Sequence, residues 1–228
     1  MTYPTFLDDV FPPGTQDVFL DAIGETVRLV GITMIVGGLL GLVYGTLLYA
    51  TRPGNLLANR AVFSVLNVLV NIIRPIPFII FITAIAPITK EVIGTRIGVE
   101  AAAFAMTVMA TFVIGRVVEQ NLVTVDPGVV EAARSMGASK VRTLATVVIP
   151  EGLAPLTLGY TFMFVAVVDM SAMAGYVGGG GLGDFARQYG YQQNNWQLTL
   201  VVIVVLIVVV QIAQFFGNWL SRRLQHRD

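Results

Sequence analysis

The chain has 228 residues, 55% hydrophobic and 12% charged, with 14 Lys and Arg balanced by 14 Asp and Glu. Soluble domains carry about 25% charged residues, so half that share excludes an ordinary soluble protein and points to the membrane. Zero net charge gives no pull toward nucleic acid. The lack of cysteine excludes a disulfide framework, a thiolate metal site or a cysteine nucleophile, and the one histidine, His226, excludes a His-rich metal site or a conventional histidine triad.

The first 25 residues hold Asp8, Asp9, Asp17, Asp21 and Glu25 and no Lys or Arg, whereas a secretory signal opens with positive charge. Pro4, Pro12, Pro13 and Gly14 interrupt this region. It reads as an extracytoplasmic arm over residues 1–20, ending in an interfacial helix from about Thr15. Residues 21–228 form the membrane domain. Five apolar blocks, each near the roughly 20 residues that cross a bilayer, predict an all-α polytopic protein with five transmembrane helices.

Span one runs from about Ala22 to Ala50. Gly31, Gly37, Gly38, Gly41 and Gly45 make a small-residue face suited to close helix approach, either inside the subunit, the preferred reading, or at a dimer seam. Thr51-Arg52-Pro53-Gly54 ends it in a turn. Span two, about Val62 to Ile85, is interrupted by Arg74-Pro75-Ile76-Pro77. The two prolines remove backbone donors and force a kink, and Arg74 is a charge in or near the bilayer. Such a residue marks either a functional path or a stabilised kink. Span three runs from about Gly98 to Val118, with Glu100 at its start. Arg116 and Glu119 lie one turn apart near its end, where they read as a stabilising cap.

A long polar interval, about residues 120–150, then separates spans three and four. Asp126-Pro127 is a helix start, Gly137 a helix stop, and Ser139 the cap of a second short helix reaching Pro150. Val129, Val130, Ala133 and Met136 fall near one face of the first helix, and Glu131 and Arg134 on the other. By pattern alone this is an amphipathic connector on the bilayer surface or a docking element for a soluble partner.

Span four runs from about Leu153 to Tyr176 and carries Asp169, Met170, Ser171 and Met173. A glycine-rich run follows it, from Gly178 to Gly183. Gly178, Gly180 and Gly183 fit GxGxxG, but the run follows a membrane helix rather than a strand and has no P-loop lysine. A flexible re-entrant loop or gate is the better reading, because glycine tolerates backbone shapes that other residues resist. Span five, about Leu198 to Leu220, is nearly all Val, Ile and Leu and reads as lipid-facing.

With the 120–150 loop in the cytoplasm, the inside segments hold Arg52, Arg60, Arg116, Arg134, Lys140, Arg142, Arg222, Arg223 and Arg227. The outside segments hold Lys90, Arg96 and Arg187. Nine against three places the N-terminus out and the C-terminus in.

Glu131-Ala132-Ala133, Gly137 and Ile149-Pro150 resemble the EAA loop of ABC importer permeases, with Ile149 where Leu is usual. Arg74 to Phe78 looks like the Arg-x-x-Pro motif of amino-acid permeases in that class. Ser171-Ala172-Met173 before the glycine run, followed by Tyr189-Gly190-Tyr191, is similar to the permeases of methionine ABC importers. The likeness extends from about Gly24 to the C-terminus.

The resemblance implies the type I importer permease fold in the membrane of a bacterium (the inner membrane if Gram-negative) and no enzymatic activity of the chain's own. It also implies a homodimer, two ATP-binding subunits that hold ATP and magnesium, and an extracytoplasmic binding protein or lipoprotein. Lipid surrounds the assembly, and the chain itself has no cofactor. By the same resemblance Glu131, Ala132, Ala133, Arg134, Met136 and Gly137 couple to the ATPase. The pathway or gate residues are Arg74, Pro75, Pro77, Asp169, Ser171, Met173, Gly178 and Gly181.

Asp169 departs from that family, where the position is small and uncharged. It is either neutralised by an ion pair, for instance with Arg74, or faces the path and meets a substrate ammonium. Met170 and Met173 are soft, polarisable side chains suited to a thioether ligand. A rival class, an ion-coupled secondary transporter using Asp169 and Arg74, lacks the expected inverted repeat. A channel is disfavoured by the lack of a filter sequence.

Overall fold

The structure is a computed structural model that describes residues 11–225; His226 and the first half of the N-terminal arm lie outside them. Every regular element among these residues is helical. Helix α1 spans Thr15–Thr51 as one rod with a π-helical segment at Thr33–Gly37. It starts at the residue expected for an interfacial helix but continues unbroken into the first span. Helix α2 is Arg60–Ile73 and α3 is Phe78–Ile93. Helix α4 is Val99–Leu122, and α5, the first helix of the polar interval, is Pro127–Ser135. Helix α6 covers 140–151, with a π segment at Leu144–Val148. Helix α7 is Leu153–Tyr176, α8 is Gly181–Phe185 with a π extension at Ala186–Tyr191, and α9 is Trp196–Gln225.

Four helices, α1, α4, α7 and α9, are long and apolar enough to cross a bilayer. A fifth crossing is counted if α2 and α3 form one broken span, since they meet at a 115° bend. The break falls on Arg74–Pro77 as the prolines require: neither Pro75 nor Pro77 can donate to the preceding turn. Asn59 caps α2 by accepting from the Ala61 and Val62 amides at 3.1 and 3.2 Å.

Contacts group the chain into two units. One comprises the residues up to Met34 with Pro77–Thr107 and Phe164–Ile212; the other comprises Ile35–Ile76, Val108–Met163 and the chain from Ala213 on. In the second unit the small residues of α1 pack inside the subunit. A Cβ on Gly41 would stand 2.8 Å from the Ile114 side chain of α4, and one on Gly45 would collide with the Gly115 carbonyl. Gly31 has nothing near it, so the close-packing face is limited to the Gly38 to Gly45 end. The Tyr160 hydroxyl of α7 donates to the Gly38 carbonyl at 2.8 Å.

The same unit holds a polar cluster. Glu119, 4% exposed, accepts from Arg116 at 3.0 Å and from Arg52 at 3.4 Å. Arg116 also donates to Asn67 and Asn71 at 3.0 and 2.9 Å. The expected surface cap is thus part of a network centred on the buried Glu119 that ties α4 to α2 and to the turn after α1. In the first unit, Phe11, Phe19, Phe185 and Tyr189 make a chain of ring contacts between 4.9 and 5.2 Å. Helix α9 buries Leu198 and Val202 there but exposes Leu200, Ile203, Val204, Ile207 and Val208, as a lipid-facing helix does.

Candidate coupling loop and translocation pathway

Helix α5 is built from local signals. The Asp126 carboxylate accepts from the Gly128 amide at 2.8 Å, and Pro127 occupies the first turn where no donor is needed. At the other end the Ala138 amide reaches Ala133 at 3.2 Å and the Gly137 amide reaches Arg134 at 3.0 Å. Together with Gly137 at φ 87°, this is a Schellman closure, which needs a left-handed residue at that position. Ser139 accepts from the Arg142 amide at 3.3 Å and starts α6. Just ahead of Pro150 the Ile149 amide reaches back five residues to Leu144.

The six residues expected to couple do not share one face. Ala133 is buried, while Met136 is 83% exposed and Ala132 and Gly137 are exposed beside it. Glu131 and Arg134 are also exposed, yet they line a cavity of about 660 Å³ together with Arg52, Asn55 and Lys140. At 100° per residue, Val129, Ala132 and Met136 lie on one side of α5, and Pro127, Val130, Glu131 and Arg134 on the other. The outward apolar side is the shape of a docking knob.

The expected pathway residues divide in the same way. Arg74 is the exposed C-cap of α2, Pro75 lies in the break, and Pro77 is the N-cap of α3. Ser171 is buried and donates to the Val168 carbonyl at 2.7 Å, so it serves its own helix. Met170 is in the core and Met173 is 38% exposed, which leaves Met173 as the available thioether of the pair. Asp169 is exposed and has no ion-pair partner among the described residues. It lies on the exposed stripe of α7 with Phe162, Met173 and Tyr176, at helical spacing.

The glycine run is held, not free. The Gly181 amide donates to the Glu25 carboxylate at 2.6 Å, and the Leu182 amide donates to the Thr26 hydroxyl at 2.8 Å. Both acceptors are on α1. Gly178 accepts from the Gly98 amide at 2.8 Å. Gly180 and Gly181 have φ of 75° and 74°, and a Cβ on either would stand 2.7 Å from Glu25 or Thr26 respectively. The loop is therefore a close-packed latch whose glycines are required by contact as well as by backbone shape.

The model of the family described as "binding-protein-dependent transport system inner membrane component" matches residues 37–226. The chain belongs to this family. It is therefore a transport component of the inner membrane, with several apolar helices. A probable D-methionine transport system permease protein of Vibrio cholerae is 41% identical over 212 residues, covering 93% of this chain and 94% of that protein. The methionine import system permease protein of Bacillus subtilis is 40% identical over 181 residues, covering 79% and 82%. Among solved structures, an inward-facing form of the MetNI methionine ABC transporter aligns with a TM-score of 0.90 at 36% identity, over 94% of this chain and 99% of that one.

The family match takes in the broken helix, α5 and the glycine run, and leaves Glu25 and Thr26 outside it. Those two, with Arg52, Asn67, Asn71 and Tyr160, are among the contact-making residues that sequence reasoning missed. The acidic residues before span one, read as part of an outside arm, were the only signal that pointed near the Glu25 contact.

Proposed function

We propose that this chain is the permease subunit of an ATP-driven importer of methionine, taking both the L and D forms. The carrying observation is the likeness to the MetNI methionine transporter along almost the whole chain. Two copies form the translocation pathway, and an ATP-binding subunit docks on each through α5. A binding protein delivers substrate from outside. The topology is five spans with N-terminus out and C-terminus in, which the Lys and Arg bias supports.

The chain performs no hydrolysis. ATPase closure moves α5 as a rigid body through its outward side at Val129, Ala132 and Met136. The break at Arg74–Pro77 and the latch at Gly178–Gly181 change the access of the path. Asp169 lines that path and meets the substrate ammonium. This role is supported by its exposure on a membrane helix without a partner of its own, an arrangement costly in lipid and ordinary beside water.

The test is uptake of labelled L- and D-methionine by an auxotroph expressing this chain with its ATPase and binding protein. Uptake should stop when ATP is depleted and persist with an uncoupler that spares ATP. Collapse with the uncoupler would turn the reading to a secondary transporter. An assembled, ATP-hydrolysing complex that ignores methionine would leave the importer and replace its substrate. That second reading is an importer of another small solute or amino acid.

A further inference from the structure

The cavity beside α5 is lined by three cations from three segments: Arg52 after α1, Arg134 on α5 and Lys140 at the start of α6. Glu131 is the one carboxylate among its lining residues. Arg52 reaches Glu119 only at 3.4 Å, and Arg134 donates to the neutral Ala138 carbonyl. Lys140 has no partner among the described residues. The lining therefore holds three cations against one carboxylate, and among the described residues the only ion pair made by the three is that of Arg52 with Glu119, which Arg116 shares. It also has an apolar part, which includes Leu56 and Val123.

We propose that this cavity takes the phosphate of an anionic phospholipid headgroup from the cytoplasmic leaflet. The proposal rests on the topology given under the proposed function. Position supports a lipid: the cavity lies where α1 ends at Thr51 and α4 ends at Leu122, two of the helices long and apolar enough to cross a bilayer. Its mix of cationic and apolar walls suits a phosphate with the glycerol beneath it. Charge supports an anionic lipid, because this leaflet carries the negative surface potential that basic clusters read. The side of α5 supports a ligand other than the ATPase, since the lining residues face away from Val129, Ala132 and Met136. A lipid seated here contacts the coupling helix from behind and sets its resting position.

The complex of this chain with its ATPase subunits would be titrated with phosphatidylglycerol in phosphatidylcholine nanodiscs, and retained lipid counted by native mass spectrometry. One phosphatidylglycerol per permease chain is expected. Lys140→Gln should weaken its retention about fivefold, as loss of one basic contact does. Lys140→Arg should restore it, and Arg222→Gln, outside the cavity, should leave it unchanged. Equal retention in Lys140→Gln and wild type would overturn the site. Retention only when the ATPase subunits are stripped away would assign the cavity to an acidic ATPase side chain. Block of phosphatidylglycerol retention by millimolar inorganic phosphate would make it a small-anion site. ATP-dependent methionine uptake measured in liposomes made from the same lipids separates the two readings, because its loss in every lipid mixture fails the importer assignment while leaving the lipid count intact.

Discussion

Glu119 and Asp169 are both carboxylates on membrane helices, and their surroundings assign them opposite tasks. Glu119 is buried against Arg116 and Arg52, with the Asn67 and Asn71 side-chain oxygens accepting from Arg116 as well. Removing one member of a buried pair leaves the others charged and unsatisfied, so Glu119→Ala should cost about 3 kcal/mol. That is at the low end for such a pair, because Arg52 is half exposed and can turn to solvent. Thermal unfolding of the purified complex reads the loss, and Glu119→Gln, which still accepts a hydrogen bond, should lose less. Asp169 has no such partner, so Asp169→Ala should leave assembly and melting unchanged. Its effect should appear in transport, as a rise in KM for methionine of about tenfold, the value of one charge-assisted hydrogen bond. Failure of the complex to assemble on that change would instead make Asp169 structural.

At the scale of elements, the legible parts were those fixed by neighbours in sequence. The Asp126 and Ser139 caps, the Gly137 stop and the proline break at Arg74–Pro77 each act within a few residues, and the bounds of α7 were read at Leu153–Tyr176 from apolar length alone. What could not be read are contacts between distant segments. Glu25 and Gly181 are 156 residues apart, and Arg52 and Glu119 are 67 apart. Neither pair leaves a periodic trace, so the glycine run looked free and Arg116–Glu119 looked like a surface cap. The split of α5 into an outward side and a cavity side was only half visible, because one wheel position cannot tell solvent from a cavity. Gly137 tests the element directly. An L-residue there enters the left-handed region at a cost of about 1–2 kcal/mol, and nothing lies within 4 Å of the added Cβ. The fold should therefore survive Gly137→Val while the closure after α5 is distorted. Strain of that size shifts the docked arrangement about tenfold. Methionine uptake per ATP hydrolysed in proteoliposomes should fall by about that factor; an unchanged ratio would remove α5 as the coupling element.

For the whole molecule, the decisive quantity is which ends of the helices face the cytoplasm, because the coupling loop, the latch and the lipid site all take their meaning from it. Four long helices and one bent pair allow either a broken fifth span or a re-entrant excursion, and these predict different sides for the turn after α3. A crossing puts residues 94–98 opposite the turn before α2; an excursion returns them to the side from which α2 started, and in both cases α4 separates them from the α5 loop. The absence of cysteine from the sequence lets one introduced thiol report its own position. Thr95 and Val141 suit the purpose, both being exposed and neither making a contact to a distant segment. With five spans and the N-terminus out, Thr95→Cys should react with a membrane-impermeant maleimide in intact spheroplasts, and Val141→Cys only after the membrane is opened. Equal protection of both positions would mean that α4, which lies between them, does not cross. An excursion by α2 and α3 would instead leave Ala58→Cys, in the exposed turn before α2, on the same side as Thr95→Cys, and the α5 loop could then be cytoplasmic only with the N-terminus there too. Labelling of Val141→Cys in closed spheroplasts would invert the chain and remove the cytoplasmic docking of α5 along with the leaflet assigned to the lipid.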